Sequence, residues 1–213
     1  MSGVDVEAIL EEISTLQFVA GVDEVGVGPL AGPVISAVVI LPKDHGIQNI
    51  RDSKKLSERQ RGKLYLEITS IAIDWAVGRA EVEEIDKFNI LQATKASMVR
   101  AVNALKIKPH KIFVDGSKPP VFQYPSRAVV DGDKLIPVIS AASIIAKVTR
   151  DREMIELDKQ YPDYGFAKHK GYGTVQHKLA LVERGFCPLH RKTFEPVKSM
   201  CLKQKGVNRY EST

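Results

Sequence analysis

Two adjacent carboxylates, Asp23 and Glu24, interrupt the apolar, β-branched run of residues 18–26, FVAGVDEVG. Few packed arrangements tolerate that, because burying a carboxylate away from water is costly unless a cation or several donors compensate. Neighbouring residues on a strand point to opposite faces. Both side chains can therefore join one site only where the strand ends or twists, as the following Gly26-Val27-Gly28 permits; the alternative is that a backbone carbonyl takes the place of one of them. Two further acids stand against apolar segments: Asp115 ends KIFVDG, and Asp133 precedes LIPVISAAS. Each of these, taken singly beside glycine, reads equally well as a turn residue. Taken together, the four acids suggest a shared metal, and their hard oxygen ligands favour Mg²⁺ or Mn²⁺ over zinc. Carboxylates around two such ions suit phosphodiester cleavage, in which an attacking water and a leaving oxygen are both stabilised.

The spacing of apolar residues predicts the elements that carry these acids. Residues 4–14 have helical periodicity; FVAGVDEVG and VISAVVILP, separated by the turn-forming GVGPLAGP, predict a hairpin of buried strands. Ser57 is placed to cap a helix over residues 58–71, and residues 89–105 repeat the helical spacing. IAIDWAVGRA, KIFVDG and RAVVDG read as strands. Residues 139–158 predict a long helix whose small face (Ala141, Ala142, Ile145, Ala146) allows close packing, and residues 175–183 another. Strands in a run, then alternating with helices, indicate an α/β fold with a mixed sheet. At 213 residues, of which 44% are hydrophobic, the expectation is a single domain. Its core covers about 18–160 and a helical C-terminal part about 161–197, and the polar tail 198–213 is expected to fray.

Lys and Arg exceed Asp and Glu by 31 to 26, a net charge of +5 that suits a polyanionic partner. The two cysteines, Cys187 and Cys201, form no zinc-like set, and the acidic N-terminus lacks the pattern of a signal peptide. A cytoplasmic protein without membrane spans is expected. Ser143 lacks a recognisable His and acid partner, and GVGPLAG matches neither a P-loop nor a dinucleotide fingerprint. His169, His177 and His190 lie among basic residues, where a solvated or phosphate-facing role is expected.

Five segments in order, VAGVDEVGVGPLAGPV, DSKKLSERQR, IFVDG, GDKLIPVISAASIIAKVTRD and YPDYGFAKHKGYGT, resemble ribonuclease HII, and the likeness runs from about Phe18 to about Val197. The resemblance implies a ribonuclease H-like fold: a mixed five-stranded sheet flanked by helices, with a helical C-terminal part closing over substrate. It puts the family's catalytic, metal-holding acids on Asp23, Glu24, Asp115 and Asp133, leaving Asp131 to the surface. It places the glycine turn that reads the ribose 2′-hydroxyl on Gly26, Val27 and Gly28, with Val27 standing where the family pattern has Arg, and the tyrosine that stacks on the sugar on Tyr172. Packing in a turn is the plainer reading of Tyr172.

Lys54, Lys55, Ser143, Lys147, Arg150, Lys168 and Lys170 are candidate phosphate contacts, a solvated face being the alternative. Lys147 and Arg150, three apart, are expected to share one helix face. The implied activity is Mg²⁺- or Mn²⁺-dependent endonucleolytic hydrolysis of the RNA strand of RNA–DNA hybrids, and of the 5′ side of single ribonucleotides in duplex DNA, leaving 3′-hydroxyl and 5′-phosphate ends. Its implied setting is ribonucleotide removal in DNA replication and repair, by a monomer. The rival readings are a non-catalytic nucleic-acid-binding module of the same fold and a nuclease acting on DNA junctions.

Overall fold

A computed structural model describes residues 5–48, 50 and 56–210, with side chains through residue 203. Strand β1 (Val19–Val25) buries its first five residues, and β2 (Val34–Ile40) is buried throughout, the pattern of strands covered on both faces. The two pair antiparallel from Ala20–Ile40 to Val25–Ile35, forming the expected hairpin. Strand β3 (Asp74–Ala80) extends the sheet antiparallel to β2, while β4 (Lys111–Asp115) runs parallel to β1 and β5 (Ser126–Val129) parallel to β4. The result is the mixed five-stranded sheet, in the order β3-β2-β1-β4-β5.

Helices cover both faces. On one, α2 (Glu58–Ile71) and the long α6 (Pro137–Gln160) pack Ile68, Ala142 and Ile145 against Ala37 and Val39. Ser57 starts α2 through a reciprocal capping box with Gln60, satisfying two backbone donors at the helix end. Helix α6 begins two residues before the predicted span because Pro137, lacking a backbone N–H, fits the first helical turn. It lies directly on β1 at Gly21, where any side chain would collide with the Val138 backbone. On the other face, α4 (Ile90–Asn103) sets Met98 and Val102 against Ala20, Val22 and Val38. A short helix that the sequence reading omits, α3 (Val82–Phe88), precedes it; Glu81 and Glu84 form its capping box. Helix α1 (Val6–Thr15) seats Ile9 beside Phe113, Val129 and Ile139, and the single-turn α5 (Gly132–Leu135) joins β5 to α6.

The C-terminal part comprises a 3₁₀ turn (Pro162–Tyr164), α7 (Phe166–His169), α8 (Val175–Arg184) and α9 (Val197–Tyr210). These gather Tyr164, Phe166, Leu181 and Val197 around Leu30 and Ala31 of the β1–β2 connection. Helix α9 continues where the polar composition suggests fraying; its first turn is held by fully buried Val197, with Met200 and Cys201 packed on the same cluster. Among the described residues no helix is long and apolar enough to cross a membrane.

Candidate active site

Parallel register brings the first acids together. Val22 of β1 pairs with Val114 of β4, so Asp23 and Asp115 follow at the same end of neighbouring strands and on the same face. The β1–β4 ladder stops there, whereas β1–β2 pairing continues to Val25–Ile35. Asp23 and Glu24 thus occupy a strand margin open on the β4 side, which is how adjacent residues reach one opening. They line a pocket of about 380 Å³ with Val25, Arg61, Asp115, Ser143, Ile144, Lys147 and Tyr172.

The electrostatics of this pocket are those of carboxylates held too close. Asp23 is only 5% exposed, and burial, then the charges of Glu24 and Asp115, push its carboxyl well above the usual carboxylate range. The Ser143 hydroxyl and the Glu24 N–H, which donates at 2.7 Å, offset this in part. Asp115 is raised by burial and then by Asp133, against hydrogen bonds from the backbone N–H groups of Asp133, Gly132 and Gly116. Asp133 itself is 1% exposed, held behind Asp115 by α5, whose Asp133 N–H lies 3.4 Å from Asp115 Oδ1. Asp131, two residues away, is exposed in a left-handed turn and ion-paired with Lys134 at 2.6 Å. The donor set is all oxygen and its charges repel one another, a combination that fits hard divalent cations. Among the described residues no group of three or more His, Cys, Asp or Glu side chains is already drawn together closely enough to hold a metal ion.

Lys147 stands in the pocket with Nζ 2.8 Å from Asp151 Oδ1, and Tyr172, 41% exposed, sits at its rim. The glycine turn is adjacent: a methyl group built on Gly28 would come 3.9 Å from the Tyr172 ring. Gly26 has φ +98°, a conformation that glycine adopts without strain, and Val27 is 39% exposed. Lys168 is exposed, while Lys170 is half-buried with its ammonium on the Ala167 carbonyl. Lys54 and Lys55 lie outside the described residues.

Arg150 requires a correction. It does not share a solvent-facing surface with Lys147: it is 0% exposed, and its guanidinium donates to the carbonyls of Pro33, Lys170 and Ala31 at 2.9, 2.9 and 3.1 Å. A phosphate cannot reach it there. Arg191, not singled out from the sequence, does the same for the glycine turn, donating to the carbonyls of Gly26, Val27 and Gly32. Burial and the nearby Arg150 charge lower its pKa to about 9. Arg61 was also missed; its one signal is its place in DSKKLSERQR, a turn beyond the Ser57 cap.

The histidines require a second correction. They are neither solvated nor phosphate-facing: His169 is 8% exposed, and His177 and His190 are 0% exposed. The His169 and His177 rings stack at 4.4 Å, and the Nε2 atoms of His177 and His190 lie 2.9 Å apart. Burial, foremost, lowers all three pKa values, that of His190 from 6.5 to about 4. With the folded value below the unfolded one, the protein keeps its full stability above about pH 6.5 and loses it as pH falls toward 4, by on the order of 3 kcal/mol for His190. Urea titrations at pH 7.5, 6 and 5 should show this loss, and His190→Gln should show a shallower one. Equal slopes would mean that His190 is not the group that titrates.

An apolar hollow of about 410 Å³, lined by Leu10, Ile13, Leu16 and Val138 among others, lies apart from this centre. No acid cluster converges on it, so the carboxylate pocket is the candidate active site.

Comparison with known proteins bears on the family and the fold. The family model described as ribonuclease HII matches residues 20–197. A ribonuclease HII from Coxiella burnetii is 54% identical over 184 residues, 86% of this chain and 91% of the relative. One from Desulfitobacterium hafniense is 51% identical over 197 residues, 90% and 76% of the two chains. The crystal structure of ribonuclease H2 from Pyrococcus horikoshii OT3 superposes with a TM-score of 0.75 at 33% identity, covering 86% of this chain and 96% of the other. The chain belongs to the ribonuclease HII family and is a ribonuclease H endonuclease.

Proposed function

We propose that the protein hydrolyses the RNA strand of RNA–DNA hybrids and the phosphodiester on the 5′ side of single ribonucleotides within duplex DNA, leaving 3′-hydroxyl and 5′-phosphate ends. The observation that carries this is the meeting, in one pocket, of Asp23, Glu24 and Asp115 with Tyr172, beside the Gly26–Gly28 turn. A cut must be made where phosphate and ribose are held together, and these are the two halves of such a site. Asp23, Glu24, Asp115 and Asp133 would hold Mg²⁺ or Mn²⁺, with Asp133 acting from behind Asp115. When bound, such ions supply the positive charge that stabilises an attacking water and a leaving oxygen.

The remaining residues bind and orient. Ser143 lines the pocket beside Asp23, and its hydroxyl, which favours the charged form of that carboxyl, orients it. Lys147 and Arg61, which line the same pocket as the acids, meet the phosphates on either side of the cut. Because Arg191 occupies the carbonyls of Gly26 and Val27, the turn meets the ribose 2′-hydroxyl through its N–H groups. The Tyr172 ring packs on the sugar, and contact with the 2′-hydroxyl separates RNA from DNA.

The test is to incubate the protein with RNA–DNA hybrid, single-stranded RNA, all-DNA duplex and duplex DNA carrying one ribonucleotide, with Mg²⁺, Mn²⁺ or chelator. Cutting of the hybrid and the ribonucleotide duplex alone, abolished by chelator, is expected. Binding without cutting would favour a non-catalytic module, and cutting of all-DNA duplex a junction-type nuclease. Asp131→Asn should cut as the parent does, since an exposed ion pair contributes under about 1 kcal/mol. Loss of activity in that variant would mean that the fourth acid is Asp131 and not Asp133.

A further inference from the structure

The buried histidines have no part in the chemistry above, yet His177, on which the other two pack, bonds the backbone of Tyr172. His190 Nδ1 lies 3.2 Å from Cys187 Sγ and 3.3 Å from the Cys187 carbonyl, but the Tyr172 carbonyl can only accept, so the shorter contacts select one set of tautomers. The Cys187 N–H can only donate, and it does so to His190 Nδ1 at 3.0 Å. His190 therefore carries its proton on Nε2 and donates to His177 Nε2 at 2.9 Å. That leaves the proton of His177 on Nδ1, where it donates to the Tyr172 carbonyl at 2.9 Å. The chain of donors runs one way, from Cys187 through two buried rings to the residue at the pocket rim. His169 braces the same turn independently: its Nδ1 accepts from the Gly171 N–H at 3.3 Å, and its Nε2 meets the Tyr164 carbonyl at 2.7 Å.

We propose that His177 is a positioning residue for ribose recognition: through the Tyr172 carbonyl it sets the tyrosine ring against the Gly26–Gly28 turn, and His190 fixes the His177 tautomer that does so. This rests on the reading of Tyr172 as the sugar contact. The Thr174 N–H also donates to the Tyr172 carbonyl, at 2.8 Å, so loss of the His177 bond loosens the residue without freeing it. A loosened ring matters most where a single ribose must be found among deoxyriboses. It matters least on a long hybrid, where every register offers a ribose.

The experiment uses two amides that mimic opposite ends of the imidazole. In His177→Asn the amide N–H falls near the Nδ1 position and can still reach the Tyr172 carbonyl; in His177→Gln the amide falls near Nε2 and faces His190. The readout is the ratio of cleavage rates on single-ribonucleotide duplex and long hybrid. Asn should keep the parental ratio within about twofold and Gln should lower it about tenfold, the effect of one lost buried hydrogen bond. Combined with Tyr172→Ala, Gln should add no further loss of ratio. If Tyr172→Ala leaves the ratio unchanged, the sugar-contact reading itself fails. If Tyr172→Ala lowers it and His177→Gln does not, or if Asn and Gln lower it equally, the positioning role alone fails. The tautomers are checked on the unmodified protein by long-range ¹H–¹⁵N NMR of the imidazoles: His177 should be protonated on Nδ1 and His190 on Nε2, and a His177 protonated on Nε2 overturns the proposal even where no variant folds.

Discussion

Asp23→Asn is expected to fold as the parent does and to cleave hybrid at least about a thousandfold more slowly, the rate equivalent of several kcal/mol of lost transition-state stabilisation. The amide keeps the shape of the carboxylate: its oxygen can still accept from the Glu24 N–H, and its nitrogen can still meet the Ser143 hydroxyl. What it loses is the charge that, in the proposed function, would help to hold a cation. In chelator the same change should leave stability equal or raised, because it removes a carboxylate that burial and the charges of Glu24 and Asp115 disfavour. Opposite movements of activity and melting temperature mark a residue kept for chemistry at a cost to the fold. Cleavage near the parental rate at saturating Mg²⁺ would remove Asp23 from the site.

Arg191→Leu should have the largest effect on stability, about 3 to 5 kcal/mol in urea titration. The guanidinium, 0% exposed, is shared among the carbonyls of Gly26, Val27 and Gly32, and a leucine leaves those acceptors buried without their donor. Arg191→Lys should recover only a minor part, since an ammonium cannot span the fork that a planar guanidinium bridges. The glycine turn would lose its anchor, so preference for ribonucleotide over all-DNA duplex should fall along with stability. A loss below about 1 kcal/mol would mean that water or the neighbouring backbone can replace the arginine.

These two residues also divide what can be read in the sequence from what cannot. Asp23 declares itself because a charge inside an apolar, β-branched run breaks the pattern of its own strand, whereas Asp131 follows an apolar run as Asp133 precedes one, and only the family resemblance separates buried Asp133 from exposed Asp131. The β1–β2 hairpin, the Ser57 cap and the small face of α6 are likewise written in neighbouring residues. Arg191 and Arg150 give no such sign. Their burial depends on carbonyls that arrive from the β1–β2 connection, far away along the chain, and in sequence they stand among bases and look solvated. His169, His177 and His190 mislead for the same reason, because the cluster forms only when α7, α8 and the following loop fold together. Helix α3 is too short to show a period, and its signal is the Glu81–Glu84 capping box alone. Periodicity reports which face of an element is covered, whereas a buried polar network reports which distant segments meet.

Mapping the cut is the most direct test of the joined carboxylate and ribose halves of the pocket. A DNA duplex carrying one ribonucleotide, labelled on that strand, would be incubated with the protein in Mg²⁺ or Mn²⁺, and the break located to the nucleotide and its ends identified. A single break on the 5′ side of the ribonucleotide, with 3′-hydroxyl and 5′-phosphate ends, is the expected result. A break on the 3′ side, or a 2′,3′-cyclic phosphate end, would contradict it, since the latter requires the ribose hydroxyl and not a water to attack the phosphorus.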